Sequence, residues 1–446
     1  MQCHEIRHSF VAYYRRLGFR VLPRAPILHD SVPMSFVMSA GLVQIETALA
    51  QLTERTNNQY VLVQECFRHF DIEKVGTDVY HLSLFEMPGA FRFGVGGQTA
   101  VIEQMWQLAT GVLRIPPDRI WISYFDGGTY SGHTLAADER TFTTWRQLGV
   151  PPHRLVGLGL EGNYWRQSGI LSGDGQPRKC GPHTEMFYDR GASLTCSAEC
   201  RPGCACGRFM EFANTLFISH HYDPKTNELI PLAEPFTETV IGTERVATIS
   251  QHAASVFDIE SYRPIIECIR QCTPANHLPE NLRTACEQVI ADHLRALYVL
   301  VADGAPPPGK DGRERIVKRL IRGVLTRQIL LGMDSQEFLP AALRQISCSF
   351  ADSELAPASP DATLLDYFAA ETARFSRTIK QGQRQLRQFV RRDRRQLLAG
   401  HEVVFFEKQC GLPRPLLDTL IEQEGASFSE AEYRSALGRW SAVPHH

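Results

Sequence analysis

Short β-prone runs that recur between residues 60 and 218 constrain the fold of this chain more than any other feature. The runs are rich in β-branched and aromatic residues, and segments with helical periodicity, such as residues 100–113, separate them. They lie at residues 60–63, 82–85, 120–124, 186–188 and 216–218. Strands and helices mixed over roughly 240 residues predict one large sheet-containing domain.

After residue 251 the pattern becomes helical. Residues 282–302 and 313–332 have apolar side chains at helical spacing, and the proline-rich breaker 303–309 separates them. A Pro/Ser-rich connector at residues 353–361 precedes a long helix. One face of that helix is expected to carry Phe368, Phe375, Ile379, Leu386, Val390 and Leu397.

The length of the chain and this change of pattern together predict the domain organisation. A chain of 446 residues is long enough for two or three domains. We therefore predict an α+β domain at residues 1–250, followed by an all-helical domain at residues 251–446.

The charge of the chain is nearly balanced, with 47 lysines and arginines against 49 aspartates and glutamates, which excludes a globally basic nucleic-acid-binding protein. Residues 374–395 nonetheless carry nine basic residues and a single acidic one, Asp393. This stretch is either a helix that follows an RNA backbone or a solvated helix face. The sequence contains neither a membrane-spanning apolar run nor a secretory signal, so we expect a cytoplasmic protein with no membrane partner.

Four of the twelve cysteines fall within eleven residues, as Cys196, Cys200, Cys204 and Cys206. Cysteines this sparse do not form a disulfide scaffold, and a reducing compartment keeps them as thiols or metal ligands. Four thiolates around one ion make a closed tetrahedral zinc site, which we predict to be structural; unligated thiols are the alternative. Four other cysteines are expected in the core: Cys268, Cys272, Cys286 and Cys348.

An arginine and an aromatic residue are placed on two successive predicted strands. Arg68 ends the first strand and Phe85 lies on the returning one. A guanidinium group can hold a phosphate through two hydrogen bonds, and a phenyl ring can stack on a purine. An ordinary hairpin with a surface arginine explains the same pattern.

Several segments in the same order give the chain a resemblance to the class II alanyl-tRNA synthetases. Residues 34–51, 64–93 and 238–245 resemble the three class II motifs of that family. Further family segments are matched by Asn163-Tyr-Trp165, Cys180-Gly-Pro-His-Thr-Glu185, Tyr188-Asp-Arg-Gly191 and Phe209-Met-Glu-Phe-Ala-Asn214. The similarity continues through the helical part to Gly411-Leu-Pro413, so it covers nearly the whole chain.

The resemblance implies a class II synthetase fold, in which an antiparallel sheet flanked by helices precedes a helical tRNA-recognition region. It also implies that the carboxylate of an amino acid attacks the α-phosphorus of ATP, giving an aminoacyl adenylate and pyrophosphate. The carboxylate is already ionised, so catalysis depends on positioning and charge stabilisation rather than on a protein base. ATP and Mg²⁺ are the implied cofactors.

Five residues would bind ATP by resemblance, and two of them would be catalytic. Arg68 would hold the α-phosphate and the substrate carboxylate. Phe85 and Arg245 would sandwich the adenine, with Arg245 also near the γ-phosphate. Glu185 and Glu211 are implied in contacts to magnesium-bound phosphate or to the ribose.

The amino-acid pocket implied by the resemblance contains Trp165, Asn214, Glu238 and Val240, with Glu238 pairing with the substrate ammonium group. This chain departs from the family pattern at two of these positions, because Glu238 replaces an Asp and Val240 replaces a Gly. The longer carboxylate reaches further into the pocket, and valine adds bulk beside it. A difference of one methylene is worth ~1–3 kcal/mol in discrimination, so the two changes together are expected to alter the substrate.

The positions implied in tRNA contacts also depart from the family. Lys310 stands where the family has an Asn that reads an acceptor-stem base pair, and Lys408 stands near its Asp. Lysines bind phosphate but do not reproduce that readout. Glu65 replaces a basic residue close to Arg68, so the handling of ATP is also expected to differ.

Two functions stay open at this point. The first is transfer of alanine or a similar small amino acid to the acceptor stem of tRNA, a step of protein biosynthesis. The second forms the same adenylate but delivers the acyl group to a carrier protein or a small-molecule amine, which the substituted positions favour. A scaffold that only binds RNA is disfavoured because Arg68, Phe85, Trp165, Asn214 and Arg245 are retained. We expect a monomer, since the association segment of the family is absent.

Overall fold

The structure is a computed structural model of the chain. It describes residues 1–30, 32, 34–38, 41, 42, 44–46, 58–167, 177–275, 278–333, 335–350, 359–392 and 396–441. Much of the predicted first motif at 34–51, most of the connector at 353–361 and the last residues of the basic stretch 374–395 lie outside these ranges.

A nine-stranded sheet forms the centre of the N-terminal part in the described ranges. Its strands are β1 (Arg20–Val21), β2 (Gln59–Phe67), β3 (Leu84–Phe93), β4 (Ile120–Phe125), β7 (Leu155–Leu158), β8 (Tyr164–Arg166), β9 (Arg178–Asp189), β10 (Phe209–Asp223) and β11 (Glu228–Ile241). The spatial order is β1-β2-β3-β11-β10-β9-β4-β7, with β8 paired to β9. The pairs β1–β2 and β4–β7 are parallel and the others are antiparallel. A small hairpin, β5 (Gly128–Tyr130) and β6 (His133–Leu135), lies apart from this sheet.

Helices cover the sheet and make up the C-terminal part. They are Cys3–Arg16, Gln98–Gln107 with a π-helical continuation at Leu108–Val112, Glu139–Gln147, Leu160–Asn163, Thr243–Ser250, Arg263–Cys272, Glu280–Ala302, Gly312–Leu331, Ser335–Phe350, Asp361–Arg392, Gly400–Lys408, Arg414–Gln423 and Glu430–Ser441. Local signals set several ends. The carboxylate of Asp138 accepts a hydrogen bond from the backbone N–H of Thr141 at 3.1 Å, and Gly332 ends a helix in the left-handed conformation.

The two faces of the central strands have different partners. On one face the hydroxyl groups of Thr215 (β10) and Thr239 (β11) lie 3.0 Å apart, and Thr215 also donates to the sulfur of Met105 on a covering helix. Side chains alternate along a strand, so the neighbouring residues Asn214 and Val240, which are paired in register, lie on the opposite face. That face carries the candidate site.

The predicted α+β architecture is confirmed, with a mainly antiparallel sheet flanked by helices and a helical C-terminal part. Two pairs of the sheet are parallel, and the C-terminal part also contains the short strand pair Leu397–Leu398 and Ser427–Phe428. The β-prone runs lie in or overlap strands, although the run at 82–85 marks only the start of β3. The apolar face predicted for the long helix is buried at Phe368, Phe375, Ile379, Leu386 and Val390.

Two predictions about single residues are wrong. The long helix ends at Arg392, and Leu397 lies in the short strand Leu397–Leu398, where its side chain is 66% exposed. An extended backbone there pairs with residue 427, so the helical periodicity no longer applies. Cys348 is exposed near the end of its helix, whereas Cys268 and Cys286 are buried and Cys272 is half-buried.

One hydrophobic cluster connects the two predicted parts of the chain. It extends from the first helix, through Ile241 and Val256, to Ala436 near the end of the described residues. The helix Glu280–Ala302 lies deep inside it and is buried continuously over residues 289–301. Within the described ranges, no helix combines the length and the apolar character needed to cross a membrane.

Candidate active site

A cleft of about 590 Å³, including the part open to solvent, lies between the ends of β2, β3, β10 and β11 and the helix Thr243–Ser250. Six of the predicted site residues line it: Arg68, Phe85, Glu211, Asn214, Val240 and Arg245. They come from four strand ends and one helix, so the sheet topology brings them together.

Arg68 follows the last residue of β2 at one side of the cleft. Its backbone N–H donates to the carbonyl oxygen of Ser83 at 2.8 Å, which continues the β2–β3 pairing by one residue. Its guanidinium carbon lies 4.9 Å from the centre of the Phe85 ring. The antiparallel pair therefore brings this cation and this ring together, a contact that is favourable over an aromatic face.

Arg245 lies in the first turn of the helix Thr243–Ser250, at the other side of the cleft. Its Nη1 donates to the backbone oxygen of Glu211 at 2.8 Å and to the Glu211 carboxylate at 3.3 Å. Its guanidinium carbon lies 5.5 Å from the centre of the Tyr80 ring. The guanidinium group of Arg68 thus lies over the Phe85 ring and that of Arg245 over the Tyr80 ring. Both cations border the same cleft.

Glu185 lies one strand beyond the cleft lining, on β9 and in register with Asn214 on β10. Its carboxylate accepts hydrogen bonds from Ser123 at 3.0 Å and from Nε2 of His183 at 3.3 Å. Burial raises the pKa of Glu185, and the negative charge of Glu211 raises it further. Asn214 donates to Glu211 at 3.4 Å, so the two carboxylates flank one amide.

Glu238 and Trp165 lie outside the cleft lining. Glu238 precedes Val240 by two residues and shares its face of β11, and only 3% of it is exposed. Trp165 packs against the apolar cluster that contains Val240 and Met87. Of the four predicted amino-acid-binding residues, Asn214 and Val240 therefore line the cleft, Glu238 lies beside Val240 on β11, and Trp165 packs against the adjoining apolar cluster.

The Glu238 carboxyl group is an unusual acid. Burial raises its pKa to about 8, the nearby Glu46 contributes to the rise, and the positive charge of Arg68 opposes it. No hydrogen bond reaches this carboxyl group from any of the residues the structure describes. A cationic partner entering the cleft would therefore favour its ionised form.

The four clustered cysteines lie together in the loop between β9 and β10. The sulfur atoms of Cys196, Cys200 and Cys204 lie within 4.8 Å of one another, and Sγ of Cys206 is 3.5 Å from Sγ of Cys200. Four sulfurs bound to one zinc ion at about 2.3 Å would stand about 3.8 Å apart in a tetrahedron. The predicted group is thus brought to nearly the spacing that zinc requires.

Several cleft residues were not predicted from the sequence: Asp71, Tyr80, His81, Met87 and Glu244. Tyr80 and His81 lie in the loop between β2 and β3, where aromatic residues among turn-forming residues are a weak signal of function. Burial raises the pKa of Glu244 to about 7, with a contribution from the neighbouring Glu86.

A second, basic groove of about 970 Å³ lies beside the helix Gly312–Leu331. Six cationic residues line it: Arg315, Lys318, Arg319, Arg322, Arg327 and Arg414. Arg319 pairs with Glu73, and Arg322 donates to Glu371 at 2.6 Å. Burial lowers the pKa of Lys318, and the neighbouring Arg322 and Arg315 lower it further, so cations in this groove repel one another.

In the long basic helix Asp361–Arg392, several arginines contact acidic residues of the same chain. Arg387 and Arg391 both donate to the carboxylate of Glu424, at 2.8 and 2.9 Å, and Arg374 lies 3.8 Å from Glu371. Part of its positive charge is therefore neutralised within the chain. Lys310 and Lys408 are both exposed, and Lys408 contacts Glu407 at 2.7 Å.

Comparison with known proteins gives a consistent result. The family described as "tRNA synthetases class II (A)" matches residues 5–439. Alanine–tRNA ligases are 31% identical in Desulforudis audaxviator over 98% of this chain, 28% in Alkaliphilus oremlandii over 97%, and 29% in Thermotoga petrophila over 98%. These matches cover 47–48% of the relatives, so the chain spans about half the length of the curated proteins it matches. A Staphylococcus aureus histidyl-tRNA synthetase structure aligns with 58% of this chain and 68% of its own, at 11% identity and a TM-score of 0.34, too low to carry an argument.

Proposed function

The chain belongs to the class II (A) tRNA synthetase family, and on this premise we propose that it is a ligase that activates a small amino acid with ATP and transfers it to tRNA. The observation that carries the proposal is the cleft bordered by both Arg68 and Arg245, which are distant in the sequence. Two fixed cations at one cleft suit a triphosphate, because the charge of the reacting phosphate is stabilised by groups already in place. The alanine–tRNA ligase relatives favour alanine or a similar amino acid as substrate.

In this proposal Arg68 holds the α-phosphate and the carboxylate that attacks it. Phe85 stacks on the adenine, and Arg245 contacts the nucleotide from the opposite side of the cleft. The attacking carboxylate is ionised at neutral pH, so alignment rather than proton removal limits the reaction.

Glu185 and Glu211 are suited to hold the magnesium ion of the nucleotide. Burial and mutual repulsion raise the pKa of Glu185, and a divalent cation close to both carboxylates would relieve that repulsion. Magnesium bound there would neutralise negative charge on the phosphates.

The amino-acid substrate would occupy the inner end of the cleft, between Asn214, Val240, Glu238 and Trp165. The ammonium group of the substrate would pair with Glu238, whose carboxyl group lacks a hydrogen-bond partner in the described part of the chain. Val240 lies opposite Asn214 in the sheet register, and its side chain would restrict the pocket to a short substrate side chain.

We assign catalysis to residues 1–250 and tRNA recognition to residues 251–446. The basic groove supports this assignment, because three of its cations, Arg315, Lys318 and Arg327, have no acidic hydrogen-bond partner among the described residues. Cations that repel one another are favourable once a phosphate backbone lies between them. Such an enzyme would act in cytoplasmic protein biosynthesis.

We also propose that Cys196, Cys200, Cys204 and Cys206 hold one structural zinc ion. The sulfur spacing supports this assignment. A closed set of four thiolates leaves no open position for a substrate, so the ion would stabilise the loop.

Amino-acid-dependent exchange between pyrophosphate and ATP tests the activation step. A panel of glycine, alanine, serine and β-alanine should identify one preferred amino acid, and Arg68→Ala should reduce the exchange by at least ~100-fold. Absence of exchange with every amino acid tested would contradict the proposal.

Charging of bulk tRNA with the preferred amino acid tests the second step. Exchange without charging would instead favour transfer to a carrier protein or a small-molecule amine. Arg315→Glu, which changes the groove but not the cleft, should reduce charging while exchange continues.

A further inference from the structure

The loop that carries the four cysteines is tied at its base to the strands of the candidate site. Arg208 donates to both carboxylate oxygens of Asp189, at 2.8 and 2.7 Å, just where β9 ends and β10 begins. The backbone N–H of Arg190 donates to the carbonyl oxygen of Arg208 at 2.9 Å. The loop is thus closed at its base by charge-assisted hydrogen bonds, which leaves its tip to be ordered by the cysteines.

The residue after the last cysteine lies close to the wall of the cleft. Gly207 has a φ of +78°, and a Cβ atom placed on it would lie 4.0 Å from Cε1 of Tyr80 and 3.8 Å from Nη1 of Arg190. Its carbonyl oxygen accepts a hydrogen bond from Arg190 at 3.0 Å. The backbone next to Cys206 therefore lies close to one side of the Tyr80 ring.

Tyr80 in turn contacts Arg245 on the cleft side. The guanidinium carbon of Arg245 lies 5.5 Å from the ring centre, and its Nη1 is held by Glu211 on β10. Tyr80 therefore stands between Gly207 and Arg245, and it connects the cysteine loop to a cation that borders the cleft.

We propose that a zinc ion bound by Cys196, Cys200, Cys204 and Cys206 positions Tyr80, and through it Arg245, for nucleotide binding. This inference rests on the proposed function, since it assumes that the cleft binds ATP. Tyr80 acts as a positioning residue, because its ring fixes the guanidinium group through a cation–π contact. The zinc ion fixes the ring by holding Gly207 in place.

A double-mutant cycle, in which the paired cysteine substitutions count as one change, tests the inference in the intact chain. The double variant Cys196→Ser/Cys204→Ser removes two sulfurs that are not fully buried, Tyr80→Leu removes the ring, and the third variant combines them. Elemental analysis gives the zinc content, and calorimetry gives the affinity for ATP. Cys348→Ser, a change at an exposed cysteine outside the cluster, is the matched control.

We expect about one zinc per chain in the wild type and in Tyr80→Leu. Loss of zinc and loss of the ring should each weaken ATP binding by roughly tenfold, and the combination should weaken it no further. Tyr80→Phe keeps the ring and should bind ATP within about twofold of the wild type. In exchange assays the KM for ATP should rise while the KM for the amino acid stays unchanged.

If the double variant fails to fold, the zinc can be removed from the wild-type protein with a chelator and then added back. The affinity for ATP is measured before and after each step, without any substitution. Purified protein that neither contains nor takes up zinc would overturn the inference. So would fully additive losses, because the metal would then act independently of Tyr80. Failure of ATP to bind any form would overturn both proposals, whereas zinc-dependent ATP binding without exchange would support this one and contradict the proposed activity.

Discussion

At the scale of single residues, Glu238 shows how the fold sets the chemistry of a site. Its side chain is enclosed by the sheet, and Glu46 and Arg68 act on it in opposite directions. With a pKa of about 8, the carboxyl group is largely protonated near neutral pH when no cation is bound beside it. Binding of a substrate ammonium group would then release a proton from it.

The raised pKa of Glu238 predicts a pH-dependent effect on stability. In the unfolded chain the group titrates near 4.5, and in the folded chain near 8, so between these values only the folded state keeps the proton. The stabilisation that this group contributes to the folded state is therefore fully present below pH 4.5 and is lost as the pH rises to 8. Glu238→Gln should gain on the order of 5 kcal/mol relative to the wild type between pH 4.5 and pH 8.

Urea unfolding at several pH values measures this difference. Glu228→Gln, at an exposed position of the same strand, is the control and should follow the wild type throughout. A constant difference between Glu238→Gln and the wild type over the whole range would refute the expected titration.

The side chain of Val240 is expected to limit the length of the substrate side chain. It lines the cleft and packs in the adjoining apolar cluster, so Val240→Ala should open space for a longer side chain. We expect kcat/KM for 2-aminobutyrate, relative to alanine, to rise by about tenfold in pyrophosphate exchange. Val61→Ala, a buried change on β2 outside the cleft lining, should lose comparable stability but keep the wild-type preference.

The sequence located part of this site through its resemblance to a known family. Arg68, Asn214 and Val240 were expected there, because each lies in a recognisable segment. Tyr80 was missed, since its position between Gly207 and Arg245, which are distant in sequence, is visible only in the folded structure. The position of Tyr80 depends on how its loop packs, and the hydrophobic periodicity of the sequence does not reveal loop packing.

At the scale of elements, two basic helices differ in what their cations contact. Cations of the helix Gly312–Leu331 line a groove, where burial lowers the pKa of Lys318 and the charges of Arg322 and Arg315 lower it further. The helix Asp361–Arg392 pairs Arg387 and Arg391 with Glu424. In the groove, Arg315, Lys318 and Arg327 have no acidic hydrogen-bond partner among the described residues and line one concave surface, which suits a polyanion.

The groove should therefore contribute more to tRNA binding than the long helix does. Arg315→Glu should weaken tRNA binding by about tenfold and reduce the slope of log K against log salt by about one. Arg377→Glu reverses the charge of an equally exposed arginine on the long helix and should have a smaller effect. The affinity for tRNA, measured at several salt concentrations, distinguishes the groove from the long helix. A larger loss of affinity in Arg377→Glu would place the tRNA on the long helix instead.

Sequence patterns predicted elements more reliably than their ends. The apolar positions of the long helix repeat over several turns, so its face could be predicted up to Val390. The position of Leu397 could not be predicted in this way, because an extended segment that pairs with residue 427 follows the helix.

At the scale of the whole molecule, a buried polar link joins regions that the sequence divides. Arg24 donates to both carboxylate oxygens of Asp303, at 2.9 and 2.6 Å, and to Glu65 at 2.6 Å. Asp303 also accepts the backbone N–H of Ile27 at 2.7 Å. Residues 303–309 were interpreted as a breaker between helices, and pattern analysis does not reveal charge pairs between residues this far apart.

This link predicts that Asp303 stabilises the whole molecule rather than the end of its own helix. The side chains of Asp303 and Arg24 are only 8% and 17% exposed, so Asp303→Ala would leave a largely buried guanidinium group with one partner. We expect a loss of about 3 kcal/mol in urea unfolding, against less than about 0.5 kcal/mol for Glu161→Ala in an exposed ion pair with Arg166. Because one hydrophobic cluster spans both parts, the loss should appear as an earlier single transition. An unchanged midpoint, or a separate early transition of the helical part, would mean that the two parts fold independently of this link.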